Sequence, residues 1–127
     1  MRNLSRYFAL ASLALFLRAT YASEDPSPAD IAKLEAAIKL EQLPNWHRGL
    51  PPVVKYARYY ASSIRNGDKV ILGELVVPEI SKQEPGVYLV SSGRDFPVIY
   101  DGGCSIVNLV YSVKEQKIVS IQCNGLA

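Results

Sequence analysis

The chain has 127 residues, which suits one domain, and an apolar fraction of 49% is enough to bury a single core, so a disordered chain is excluded. Its formal net charge is only +2, and the surplus comes from arginines close to the amino end. Nucleic-acid binding requires clustered Lys and Arg side chains that displace counterions, so that class of function is excluded as well.

Residues 1–22 are typical of a cleavable export signal. Arg2 and Arg6 precede an uncharged apolar stretch over residues 7–17, and Thr20 to Ala22 provide the small residues that a signal peptidase reads. The stretch is about 11 residues long, whereas a membrane-spanning helix needs roughly 20. We therefore expect cleavage after Ala22 and a slightly acidic mature chain. It should be exported, to the periplasm if the source is bacterial and otherwise secreted, without stable insertion in a membrane.

The mature chain is predicted to begin with a short lead-in and a helix. Residues 23–27 are polar and contain a proline, which indicates a flexible lead-in. A helix is predicted over residues 28–42, because Ser27 can cap it, Pro28 suits its first position and Pro44 ends it. Its apolar residues recur at spacings of three and four, on one face: Ile31, Leu34 and Ile38.

A second helix is predicted over residues 51–66. Pro51 and Pro52 suit a first helical turn, and Gly67 suits the left-handed position after the last one. The apolar residues form a wide stripe at helical spacing, as in a helix that covers a sheet: Val53, Ala57, Tyr60, Ala61 and Ile64.

The predicted loop between the two helices contains Trp46, His47 and Arg48. A tryptophan beside an arginine is typical of a binding hot spot, and a loop tryptophan can equally fold inward over the core, so both interpretations stay open. His47 is the only histidine of the chain and by itself completes neither a metal site nor a catalytic triad.

After Gly67 the pattern changes from helical to extended. Runs of β-branched and aromatic residues between turn residues predict strands at residues 70–77, 87–91, 96–100, 104–113 and 117–123. Consecutive strands with short connections form an antiparallel meander. The predicted fold class is therefore α+β, with two helices followed by a four- to five-stranded antiparallel meander and a helix packed on one sheet face.

Cys104 and Cys123 are the two cysteines of the chain, and in an exported domain they predict one disulfide. A reactive thiol would need a base, and His47 lies far away in sequence. If residues 114–116 form the last hairpin loop, the strands pair through one apolar ladder: Tyr111 with Val119, Leu109 with Ile121 and Val107 with Cys123. In this register the disulfide requires the chain to fold back at Gly102 and Gly103.

The predicted order of a wide helix followed by a meander, over residues 48–125, resembles the cystatin-like fold and, more loosely, the NTF2-like fold. Cystatins have a glycine before the helix, a Gln-x-Val-x-Gly stretch in the first hairpin tip and a Pro-Trp pair in the second. Gly49 matches the first element. The two predicted tips carry other residues: Gln83, Glu84, Pro85 and Gly86 in the first, and Lys114, Glu115 and Gln116 in the second. The resemblance implies a fold and argues against inhibition of papain-like proteases.

The sequence predicts no catalytic residue, metal ligand set or cofactor site. It contains no Gly-x-Ser-x-Gly turn, and Gly102 and Gly103 lack the lysine and helix of a phosphate-binding loop. Asp95 and Asp101 are typical of turns. An enzyme is therefore not expected.

Three functional hypotheses remain open. The leading one is a non-enzymatic module that binds a protein partner through exposed residues, for which the candidates are Trp46, Arg48, Gln83 and Arg94. The second is an inhibitor of an exported hydrolase, which requires residues 79–85 to form an exposed, ordered loop. The third is a small-ligand pocket between helix and sheet lined by Tyr56 and Tyr60. The identity of the partner and the oligomeric state are left open.

Overall fold

A computed structural model describes residues 24–125. The export signal predicted for residues 1–22, with its cleavage site, lies outside these residues. These residues contain two helices, four 3₁₀ turns and five strands. In chain order they are α1 Pro28–Ala37, a 3₁₀ turn Leu40–Gln42, a 3₁₀ turn Val53–Lys55, β1 Ala57–Arg65, β2 Asp68–Val76, α2 Pro78–Ser81, β3 Gly86–Leu89, a 3₁₀ turn Gly93–Asp95, a 3₁₀ turn Gly103–Ser105, β4 Ile106–Ser112 and β5 Lys117–Cys123.

The five strands form one mixed sheet in the order β3-β1-β2-β4-β5. The α+β class is confirmed, whereas the expected meander is not purely antiparallel, because β3 runs parallel to β1. The chain that leaves β2 passes the beginning of β1 through α2 and residues 82–85 before it enters β3. Strand β3 therefore starts at the same end of the sheet as β1, which makes the two strands parallel.

The second helix, predicted over residues 51–66, is wrong. Residues 53–55 form a 3₁₀ turn and Ala57–Arg65 is the strand β1. Side chains on both faces of β1 are buried from Ala57 to Ala61, so the alternation that distinguishes a strand is missing from the sequence. Asn66 and Gly67, at φ 52° and 81°, form the two-residue turn of the β1–β2 hairpin, which requires left-handed residues.

Helix α1 begins as predicted and ends early. Ser27 accepts a hydrogen bond from the Asp30 amide at 3.1 Å, and Pro28 occupies the first helical position. The helix ends at Ala37 rather than at Gln42. Ile38 and Leu40 are both buried, and two residues that are two positions apart do not share one helix face, so the chain leaves the helix to bury both. Pro26, in the expected lead-in, is also buried.

Helix α1 covers one face of the sheet, the helix face. Its core joins residues of α1 to residues of β1, β2 and β4: Ile31, Leu34, Tyr60, Ile71, Leu75, Val107, Leu109 and Tyr111. Ile38, just after α1, and Tyr56, just before β1, belong to the same core. Within the fold, Glu35 of α1 accepts hydrogen bonds from Arg58 Nε at 2.5 Å and from the Tyr60 hydroxyl at 2.8 Å. This buried polar contact fixes the helix on the sheet.

The other face, the loop face, is covered by residues 90–105, which we call the covering loop. Val90, Phe96 and Ile99 of this loop pack against Ala57 and neighbouring strand residues of the loop face. The strand predicted for residues 96–100 is wrong, because this segment pairs with no strand. It packs Phe96 and Ile99 against the sheet and leaves Val98 and Tyr100 exposed. The strand predicted for residues 87–91 is present as the shorter β3.

The disulfide between Cys104 and Cys123 is present, with the two α-carbons 4.5 Å apart. Gly102 and Gly103 take φ values of 102° and 56°, which produces the expected bend. The predicted pairs Val107–Cys123 and Leu109–Ile121 are confirmed. Tyr111 faces Ile118 and not Val119, because a register shift beside Val110 leaves Val119 as an extra, exposed residue of β5.

Candidate functional site

A cleft of about 630 Å³ lies at the end of the sheet where β1 begins and β2 ends. We call it the strand-end cleft. One wall is the chain that leads into β1, with His47, Leu50, Pro51 and Lys55. The other wall is the chain between β2 and β3, with Val77, Pro78, Glu79, Ile80 and Pro85. The parallel placement of β3 creates this cleft, because it forces the second wall to pass the beginning of β1.

The first wall is shaped by prolines and held by Arg58. Pro51 and Pro52 restrict the backbone before the 3₁₀ turn, and the Lys55 amide donates to the Pro52 carbonyl at 2.9 Å. Arg58 Nη1 donates to the carbonyls of Val54 and Tyr56, both at 3.0 Å. Since Arg58 is itself buried and paired with Glu35, this wall is anchored to the sheet and to α1.

The second wall is ordered by local hydrogen bonds. The Lys82 amide donates to the Pro78 carbonyl at 2.9 Å, which closes α2, and Lys82 takes a left-handed φ of 60°. The Gln83 amide donates to Ser81 Oγ at 3.1 Å, and the Tyr88 hydroxyl donates to the Glu84 carbonyl at 2.7 Å. Residues 82–85 are exposed, so the tip of this wall combines exposure with a defined conformation.

The cleft carries charges of opposite sign on its two walls. Lys55 lies on the first wall and Glu79 on the second. His47 Nδ1 accepts a hydrogen bond from the Gly49 amide at 3.2 Å, so this nitrogen is bonded to the backbone and not to a carboxylate that would orient the ring for catalysis. Among residues 24–125, no group of three or more His, Cys, Asp and Glu side chains is placed to hold a metal ion.

The structure places the four predicted binding residues at different sites. Trp46 is half-buried, packs against the core of the helix face and lines a neighbouring cleft of about 400 Å³ with Leu50 and Pro51. Arg48 is exposed on the first wall's loop, and Gln83 is exposed at the tip of the second wall. Arg94 is exposed on the covering loop, where the adjacent Gly93 lies against Leu72 of the loop face. The loops of Arg48 and Gln83 therefore meet across the cleft, and Arg94 lies apart from it.

Ile80 is a cleft residue that the sequence analysis did not identify. It is 39% exposed at the rim of the cleft, beside the bend at Gly102. Val54, 63% exposed, follows Val53 in the turn of the first wall. Pro78, directly after a predicted strand, was the signal in the sequence that could have identified Ile80. Proline is favoured in the first turn of a helix, and a helical turn at this point would expose the residues that follow it.

Tyr56 and Tyr60, the expected lining of a ligand pocket, belong to the packed interior. Both are fully buried. The Tyr56 hydroxyl donates to the Cys104 carbonyl at 2.8 Å, and burial raises its pKa to about 12. The pKa of Tyr60 is raised further, first by burial and then by the charge of Glu35 and the hydrogen bond to it. Both hydroxyls are engaged with the protein itself, so they offer nothing to a ligand.

Comparison with protein-family models, with curated protein sequences and with solved structures gave no match. The resemblance to the cystatins required a helix after Gly49. The structure has the strand β1 in this segment instead. None of the helices in the described part of the chain has the length and apolar character needed to cross a bilayer.

Proposed function

We propose that this chain is a non-enzymatic protein-binding module, acting outside the cytoplasm, that holds a short segment of a partner protein in the strand-end cleft. The observation that carries the proposal is the cleft itself, whose two walls are ordered loops joined to one sheet. Export is supported by the disulfide, since such bonds persist in oxidising compartments.

The walls suit a peptide segment. Pro51, Pro78 and Pro85 lose little conformational freedom on binding, so a partner meets a surface that is already organised. Leu50, Val77 and Ile80 offer apolar contact, while Lys55 and Glu79 fix the direction of the segment through opposite charges. The expected partner segment is extended, apolar at its centre and flanked by one acidic and one basic residue.

Site-specific photo-crosslinking tests this function. A photoreactive residue is introduced at Val54 or Gln83 beside the cleft, with Val119 at the far hairpin as the control position. Protein produced from the full sequence is exposed to an extract of its source. Crosslinks to one partner are expected at the two cleft positions and not at the control, because a segment in the cleft reaches only those positions.

Competition makes the test specific. Excess unlabelled protein should abolish the crosslink, and the I80D variant should compete at least about ten-fold more weakly, because it places a charge where the partner would desolvate it. The matched V119D variant also adds an aspartate to an exposed apolar position and should compete as well as the unmodified chain. Equal crosslinking at residue 119, or full competition by I80D, would count against the cleft.

Inhibition of an exported hydrolase is a second candidate, favoured by the exposed and hydrogen-bonded tip at residues 82–85. An inhibitor tip must be ordered before it enters an active site, since ordering on binding lowers the affinity. Residual activities of secreted proteases and lysozymes are measured with the intact protein and with a Q83R variant. Slowing of one enzyme that the variant relieves is expected, and an unchanged activity across the panel would dismiss this candidate.

A further inference from the structure

Glu74 is a buried carboxyl group at the centre of the sheet. It lies on β2 between Tyr59 of β1 and Asn108 of β4, on the loop face. Only 7% of the residue is exposed, and its Oε1 atom is buried without a hydrogen-bond partner. Among the described residues, no Lys or Arg forms an ion pair with it. A buried charge without a partner is costly, so this position favours the neutral acid.

The covering loop contacts the sheet on both sides of Glu74. Gly93, near the start of the loop, lies against Leu72, two residues before Glu74. Phe96 and Ile99, further along, pack in the cluster that contains Val76, two residues after Glu74. Residues Leu72, Glu74 and Val76 share one face of β2, so the loop passes over Glu74 between these two contacts.

A chain of amide hydrogen bonds holds the far end of the loop to the sheet. Asn108 Nδ2 donates to Asn124 Oδ1 at 2.6 Å. Asn124 Nδ2 in turn donates to the carbonyl of Ile99 at 2.8 Å and to that of Asp101 at 3.2 Å. The first donor of this chain, Asn108, is the residue directly opposite Glu74 on β4.

We propose that Glu74 controls the covering loop in response to pH. While Glu74 is a neutral acid the loop stays closed on the sheet, and when Glu74 becomes a carboxylate the loop is released. A carboxylate at this position needs water or a donor. Water reaches the buried Oε1 atom only if the loop lifts. The Asn108 amide, opposite on β4, donates to Asn124 and not to this atom, so the closed structure provides it with no donor. The inference is independent of the proposed function.

The surrounding groups do not compensate for a charge on Glu74. Tyr59 faces it from β1. Burial raises the pKa of Tyr59, a hydrogen bond with Ser81 lowers it, and Tyr88 and Glu74 raise it further; the net shift is upward, so Tyr59 stays neutral. Asn108 on β4 does not ionise, and Tyr88 of β3 stacks on Tyr59 with ring centroids 5.4 Å apart. The loop presents Phe96 and Ile99 inward, while its charged residues are exposed: Arg94, Asp95 and Asp101.

The direction of the pH effect follows from linkage. Burial raises the pKa of Glu74 from 4.5 to about 7 while the loop is closed, and opening returns it towards the ordinary value. The closed state therefore binds the proton more tightly than the open state. Its full stability is present below about pH 4.5 and is lost as the pH rises through about 7.

Hydrogen exchange of the backbone amides of residues 91–101 tests the proposal. Between about pH 4.5 and pH 8 the protection factors, corrected for intrinsic exchange rates, should fall on the order of 100-fold. The E74Q variant should show no such fall, because its amide stays neutral. The matched E115Q variant removes an exposed carboxyl and should keep the fall. A pH-independent loop in the unmodified protein, or the same fall in E74Q, would overturn the proposal.

A second measurement needs no variant and protects the test against misfolding of E74Q. The carboxyl carbon resonance of Glu74 is followed by NMR in the unmodified protein. Its midpoint should lie near neutrality and coincide with the loss of loop protection. A titration midpoint at the ordinary pKa of glutamate would also contradict the proposal.

Discussion

At the scale of single residues, Arg58 anchors most of the polar interior. Its guanidinium donates to Glu35 of α1 and to the carbonyls of Val54 and Tyr56. Only 8% of Arg58 is exposed, so its N–H groups depend on these protein acceptors rather than on water. In the helix predicted over residues 51–66, Arg58 lay outside the apolar stripe. Its burial follows from its position on a strand whose two faces are both covered.

Replacing Arg58 should cost more than removing the Tyr60 hydroxyl. R58M removes the charged partner of Glu35 and one donor from each of the two carbonyls, so we expect the free energy of unfolding to fall by about 3 kcal/mol. Y60F removes one donor while Glu35 keeps Arg58, so a loss of about 1 kcal/mol is expected. Urea denaturation followed by tryptophan fluorescence measures both.

The control for this comparison is K114M. Lys114 forms a surface pair with Asp68 at 4.0 Å, and such exposed pairs contribute little, so a change within about 0.5 kcal/mol is expected. Equal losses for R58M and Y60F would show that Arg58 does not hold the interior as described.

At the scale of elements, local signals predicted well where they acted alone. The Ser27 cap and the last hairpin are confirmed, since each rests on residues close together in sequence. The β1–β2 hairpin was missed although Asn66 and Gly67 are the strongest short signal for such a turn. The apolar residues of β1 also fit helical spacing, and Gly67 suits a helix end as well as a hairpin, so local pattern could not separate the two.

The disulfide ties the turn before β4 to the end of β5, across a sequence separation of 19 residues. The free energy of unfolding of a C104S/C123S variant should be about 3 kcal/mol lower than that of the unmodified protein. Its unfolded chain regains the conformational freedom that the closed loop removes. Urea denaturation of both proteins, with and without reductant, gives the measurement. Reductant should lower the stability of the unmodified protein to that of the variant and leave the variant unchanged. If reductant left the stability of the unmodified protein unchanged, this role of the disulfide would be contradicted.

At the scale of the whole molecule, the sheet is stable only because both faces are covered. Helix α1 covers one face and residues 90–105 the other. From the sequence, a helix was expected on one sheet face, and the wide apolar stripe at residues 51–66 was assigned to it. The helix that covers the sheet is α1 instead, through Ile31, Leu34 and Glu35.

A chain that begins at residue 44 should therefore lose cooperative folding. It lacks α1, which exposes the apolar helix face and leaves Arg58 without Glu35. We expect a broad unfolding transition and binding of an apolar dye. A chain that begins at residue 24 is the matched control and should unfold in one sharp transition. The same sharp transition and midpoint in both chains would show that α1 is dispensable.

The two walls of the strand-end cleft were visible in the sequence as separate loops, and their meeting was not. Residues 47–51 and 77–85 are brought together because β3 pairs in parallel with β1, a contact between segments that the rest of the fold must first position. The same holds for Glu74, which is an ordinary glutamate in sequence and becomes a buried acid only under the covering loop.

The sequence by itself determined the α+β class, the start of α1, the register of the last hairpin near Cys123 and the disulfide. These features depend on hydrogen bonds, spacing and turn conformations among neighbouring residues. Only the tertiary structure decided the strand nature of Ala57–Arg65, the parallel β3, the covering loop, the cleft and the environment of Glu74. Those features arise from burial and strand pairing between distant segments, whose free energies override the weak local preferences of the chain.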